Sequence, residues 1–262
     1  MSVKLRLIPV LFIKNGLIVR SETFSTHQII GNVVNEAHRY NEWNVDELIY
    51  INISQTSEFD LRRDDHKVAS YSGIEEVMDR ISSVCFMPLT FGGGIRTQSQ
   101  IDFFIRNGAD KVVLNSAFHE CPELIEEASQ RYGAQCVVAS VDYRIIDGKP
   151  IAFVDSGRKT TGKLVWEWVQ HCEDLGAGEI FLNSIDRDGM GCGYDTSVIK
   201  EVVASTSLPV IACGGAGDIA DFVELANEVD LSGIAAGNIF HFTERSYPRA
   251  KNNMKKAGIN VR

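Results

Sequence analysis

Short apolar runs alternate with longer amphipathic stretches along the whole of this 262-residue chain. Eight runs rich in β-branched and aromatic residues stand out, at positions 5–13, 47–53, 85–91, 111–115, 135–142, 179–184, 208–212 and 231–236. Stretches with helical spacing of apolar residues accompany them, near 31–43, 72–82, 97–107, 121–131, 161–175, 195–206, 218–227 and 244–257. In the fourth, Leu124, Ile125 and Ala128 form one stripe, and Pro122 falls in the first turn, where its missing N–H costs little. Buried strands separated by helices predict a parallel sheet. Eight such repeats without a linker predict one α/β domain over residues 1–262, a (β/α)8 TIM barrel whose functional loops follow the strands.

Three stretches break the rhythm. Residues 143–159 are too long for a simple connection, and Asp147-Gly148 between apolar flanks predicts a β-hairpin inserted after the fifth strand. Residues 21–32 and 54–72 are candidate lids. In the latter the string Asp60-Leu61-Arg62-Arg63-Asp64-Asp65 reads as a solvated loop.

Composition narrows the partners. A hydrophobic share of 44% and a charged share of 23% fit a soluble globular chain. A net charge of -9 argues against nucleic acid or a membrane surface as the main partner, so any phosphate site has to be local. The six cysteines, Cys85, Cys121, Cys136, Cys172, Cys192 and Cys213, form no CxxC pair and read as core or loop residues of a cytoplasmic protein without a signal peptide. No apolar run approaches the roughly 20 residues that cross a bilayer.

Two blocks repeat one design: 88–118 (PLTFGGGIRTQSQIDFFIRNGADKVVLNSAF) and 209–240 (PVIACGGAGDIADFVELANEVDLSGIAAGNIF). Each reads as strand, glycine turn, helix, strand and a second small-residue turn, an internal repeat that suggests a barrel with two phosphate sites. Glycines past a strand let backbone N–H groups approach an oxyanion, and a following helix adds its positive end. Gly93, Gly94, Asn115 and Ser116 would make one anion site, and Gly214, Gly215, Gly237 and Asn238 a second. Tight turns alone could explain either glycine pair; two pairs at matching places point to a phosphorylated small molecule. After the sixth strand, Asp186 and Asp188 lack a His or a second carboxylate cluster at ligand spacing, so no metal and no cofactor is expected. That loop reads as held by its own Asp–Arg contacts, with Asp188-Gly189 turning toward the second phosphate. Asp142, between Val141 and Tyr143 at the end of the fifth strand, is the candidate general acid or base; capping the next loop is the alternative.

On the segments IPVLFIKNGLIV, MPLTFGGGI, GADKVVLNSA, EIFLNSIDRDG, LPVIACGGAG and GINVR, the chain resembles the HisF family, the cyclase subunit of imidazole glycerol phosphate synthase, over nearly its whole length. The resemblance implies a duplicated barrel with two phosphate sites and a HisH-type glutaminase partner whose ammonia travels through the barrel. It also implies a charged gate of Arg6, Glu47, Lys111 and Glu179, with Asp110 at the partner interface. Without it those four are exposed strand-start charges or a salt-bridge cluster.

The family carries two catalytic aspartates, and Asp142 matches the second. Phe12 stands where the first belongs, and Asn52 replaces the aspartate that ends the second strand. Residues 21–32 also depart from the family's substrate-closing loop, although Arg20 and Phe24 match it. An apolar residue at that first position is similar to the HisF-like paralogue of surface-polysaccharide gene clusters, as are CFMPL and EIFLNSIDRDG. That resemblance implies ammonia supply to an N-acetyl sugar amidotransferase making acetamidino sugars. A histidine-pathway cyclase and a non-catalytic phosphate-binding scaffold are the alternatives.

Overall fold

The computed structural model describes residues 4–54, 59, 71–241 and 244–262. In chain order it forms β1 (Arg6–Lys14), β2 (Leu17–Glu22), β3 (Thr26–Asn32), α1 (Val33–Glu42), β4 (Leu48–Asn52), α2 (Ile74–Ser82), β5 (Leu89–Gly92), α3 (Gln98–Arg106), β6 (Lys111–Leu114), α4 (Ala117–Glu120) and α5 (Pro122–Tyr132). β7 (Val137–Ile146), β8 (Lys149–Val154), β9 (Lys159–Leu164), α6 (Val165–Asp174), β10 (Glu179–Ser184), α7 (Thr196–Ser205), β11 (Val210–Cys213), α8 (Ile219–Glu228), β12 (Gly233–Ala236) and α9 (Ser246–Lys256) complete it. The strands β1, β4, β5, β6, β7, β10, β11 and β12 pair in parallel in that order, and β12 returns to β1, closing a (β/α)8 TIM barrel.

Alternation along these strands divides the apolar residues into two layers, because successive side chains face opposite sides of a sheet. Leu7, Leu11, Leu48, Tyr50, Phe91 and Ile180 face outward and pack under the helices. Ile8, Val10, Phe12, Ile49, Val113, Val138, Phe181, Ile211 and Ala235 face inward and fill the barrel. Polar residues thus interrupt the interior only near its two ends.

Two antiparallel excursions rise from the mouth. β1 runs on past the barrel and pairs with β2, which pairs with β3, so residues 21–32 lie largely in an ordered hairpin. β7 likewise outruns the barrel to pair with β8 through the Asp147-Gly148 turn, and β9 adds a third strand. Asp142 therefore sits within a strand rather than at its end. The expected helix near 161–175 begins only at Val165, since residues 159–164 are taken by β9. At the other end, residues 85–88 lie outside β5, and Phe86 is 85% exposed. The charged string Asp60–Asp65 lies outside the described residues, as does most of the third candidate lid.

Candidate functional site

The barrel floor is a ring of four charges. Arg6 bonds Glu47 and Glu179 at 2.5 Å each, and Lys111 bonds the same two carboxylates at 3.1 and 2.7 Å. Arg6, Lys111 and Glu179 open β1, β6 and β10, and Glu47 directly precedes β4, so the four meet over the axis. Burial opposes ionisation of Glu47, but Lys111, Arg6 and the Thr90 hydroxyl together outweigh it and hold the carboxyl below the usual range. Burial likewise works against Arg6, and Glu179 and Glu47 overcome it. The exposed Asp110 lies beside the ring in sequence and accepts the Leu89 N–H at 2.8 Å, ordering the start of β5.

The mouth opens on a cavity of about 500 Å³. Asp142 lines it, only 6% exposed, and is the one buried carboxylate on its wall among the described residues. Asn115 Nδ2 donates to its carboxylate at 3.2 Å and to Ser140 O at 2.9 Å. Burial pushes the Asp142 carboxyl up to about 7; the Ser140 hydroxyl opposes that shift and the charge of Asp188 adds to it. Such a group can give or take a proton near neutral pH. Phe12 faces the same cavity from β1, across the barrel from β7, packed within the inner apolar layer and 7% exposed.

The two glycine turns match at their first glycine and differ at their second. Gly93 (φ +93°) and Gly214 (φ +94°) each press on the end of the preceding barrel strand: a methyl on Gly93 would lie 2.0 Å from Asn52 O, and one on Gly214 2.8 Å from Ser184 O. Gly94 has nothing within 4 Å of that position and lines the cavity, whereas Gly215 abuts Gly193 O. The helix ends differ from expectation. The start of α3 is capped by Thr97 and Gln100, and that of α8 by Asp218 and Asp221, which occupy several of the N–H groups an anion would need. Of the first expected anion set, Gly93, Gly94, Asn115 and Ser116 all line the cavity. Ser116 Oγ accepts the Asp155 N–H at 3.0 Å, tying this turn to the one between β8 and β9.

The second set is engaged by the β2–β3 hairpin. Asn238 Nδ2 donates to Ser21 O at 2.9 Å, and Gly189 packs against the same carbonyl. Asp188, buried, accepts the Ser21 hydroxyl at 2.6 Å and the Phe24 N–H at 3.3 Å; burial raises its carboxyl above the ordinary value and these bonds oppose the shift. Gly237 follows β12, near Val10 O, and opens the turn that carries Asn238. In the same loop Asp186 accepts the Ile145 N–H, and Arg187 lies 3.9 Å from Asp195. No cluster of metal-ligating residues occurs among the described residues.

Asn183, His27 and Asp155 are among the cavity residues that sequence reasoning left unassigned. Asn183, 1% exposed on β10, reads in sequence as one polar residue of a strand. His27, on β3, lies 3.4 Å from Lys14, and burial followed by the Lys14 charge lowers its pKa. Asp155 belongs to a left-handed turn no sequence signal marks before Gly157. A lone histidine or amide becomes a site residue only through the tertiary contacts.

A closed parallel barrel with a charged floor, a repeated pair of glycine turns and buried carboxylates at its mouth defines a TIM-barrel protein. The chain matches the family described as "Histidine biosynthesis protein" over residues 6–246 and belongs to it. It is 36% identical over 257 residues to the imidazole glycerol phosphate synthase subunit HisF of Natranaerobius thermophilus, covering 98% of each chain. To the same subunit of Staphylococcus saprophyticus it is 37% identical over 262 residues, covering 99% of this chain and all of the relative.

Proposed function

We propose that this chain is the barrel subunit of a glutamine-dependent synthase: it receives ammonia from a HisH-type glutaminase at the charged floor and brings it to an anionic ligand at the mouth. The observation that carries this reading is the alignment, on one barrel axis, of the Arg6–Glu47–Lys111–Glu179 ring below and the Asp142 cavity above. Between them the inward side chains are apolar, a medium that disfavours ammonium far more than neutral ammonia. Gly93, Gly94 and Ser116 are suited to hold a phosphate on one side of the mouth, and the turns at Gly214 and Gly237 are their counterparts. The subunit acts in the cytoplasm; among the described residues no helix is long and apolar enough to cross a membrane.

The names of the relatives favour closure of an imidazole ring as the reaction, with Asp142 moving the proton. Phe12 favours a second destination. It leaves the β1 side of the mouth without a carboxylate, so one group has to serve where a proton is both removed and supplied. On this second reading the ammonia passes on to an N-acetyl sugar amidotransferase, for acetamidino sugars of a surface polysaccharide. Turnover of the bisphosphorylated histidine-pathway intermediate with ammonium chloride separates the two. Ring closure expects imidazole glycerol phosphate from the unmodified chain and a loss of about 10²–10⁴-fold in Asp142→Asn. No product from the unmodified chain would remove that reading and leave amidation.

A further inference from the structure

Buried polar atoms without a partner are rare, because leaving one unpaired forfeits its hydration. Asn183 Oδ1 is such an atom, and of the unpartnered buried side-chain atoms found among the described residues it alone belongs to a cavity-lining residue. It sits on β10 directly beside Asp142 of β7, the two being register partners in the parallel pair. Gly214 on the other flank leaves it room: a methyl there would come within 3.1 Å of the amide oxygen. Below lies the apolar interior, with Phe181 one inward position down β10; on β7 the inward positions below Asp142 are Ser140 and then Val138. A molecule rising from the floor ring therefore meets its first acceptors above that apolar layer at Asn183, Ser140 and Asp142.

We propose that Asn183 Oδ1 is the seat at which ammonia arrives at the mouth. The oxygen lacks a donor, and ammonia brings N–H donors on a body small enough for a site 1% exposed. Neighbouring strands run about 4.8 Å apart, so a single nitrogen can donate to the Asn183 amide and the Asp142 carboxylate together. Asn183 is thus a positioning residue for the incoming nitrogen. The inference rests on the reading that ammonia reaches this cavity through the barrel.

Melting temperatures at pH 8 in ammonium chloride, against tetramethylammonium chloride of equal ionic strength, test it, since a ligand of the folded state stabilises by mass action. The unmodified chain is expected to gain about 3 °C in ammonium at tenfold excess over Kd. Asn183→Leu is expected to lose that gain, to melt higher than the unmodified chain without ammonium because the unpaired oxygen is gone, and to keep the shift caused by inorganic phosphate. Asn183→Ser, a smaller change, is expected to keep the fold and lose most of the ammonium shift. An ammonium shift retained in both variants, or absent from the unmodified chain while phosphate still stabilises it, would overturn the seat and leave the anion cavity standing. A missing phosphate shift with the ammonium pattern intact would instead count against the anion cavity alone.

Discussion

Asp142 is the buried carboxylate on the wall of the mouth cavity among the described residues. Its folded-state pKa near 7 lies above the unfolded value near 4, so the native state holds the extra proton between those values. Stability therefore falls as pH rises through that window, and above it the full penalty of a buried carboxylate is present. Asp142→Asn removes the penalty; its stability advantage should grow by about 2–3 kcal/mol from pH 5 to pH 8 in urea titrations. A constant difference across that range would show that the carboxylate is ordinary. Sequence alone marks Asp142 by its place on the fifth strand, and Phe12 by the family pattern it breaks. The Asn115 bond to Asp142 and the unpaired Asn183 oxygen were not legible, because each arises between strands far apart in sequence.

At the scale of elements, the two glycines of the first turn have separate jobs. A methyl at Gly93 collides with the Asn52 backbone, whereas one at Gly94 meets only open cavity and a left-handed φ. Gly93→Ala should cost more than about 3 kcal/mol or prevent folding, and Gly94→Ala about 1–2 kcal/mol, read from denaturation midpoints. Equal costs would contradict this division. The barrel strands were legible because buried parallel strands read as continuous apolar runs. The β7–β8 hairpin announced itself through Asp147-Gly148. The β2–β3 hairpin did not: its turn places Thr23 (φ +50°) and Phe24 (φ +60°) in the left-handed region without a glycine, held by Asp188 across the mouth. Where the apolar run at 85–88 overshot β5, the exposed Phe86 is a loop residue whose N–H bonds Asn41.

Across the whole molecule, the floor ring couples four strands. Lys111→Met leaves Glu47 and Glu179 facing one another with Arg6 alone between them, and should cost about 2–4 kcal/mol in urea unfolding, at the lower end because Lys111 keeps some solvent contact. Because the Glu47 carboxyl lies below its unfolded value, its contribution holds above that value and is lost as pH falls through the folded one; Glu47→Gln should flatten this acid limb. The barrel and its duplication were readable as repeated glycine blocks, and strand-start charges as a cluster, but their closure over the axis is a property of the closed sheet. The role proposed for the ring, to meet a glutaminase, is tested most directly by titrating the chain with a HisH-type glutaminase in a calorimeter while following glutamine hydrolysis. The account predicts a one-to-one complex, faster hydrolysis in it, and weaker binding of Asp110→Arg. No heat and no change in hydrolysis at micromolar concentrations of both proteins would contradict it.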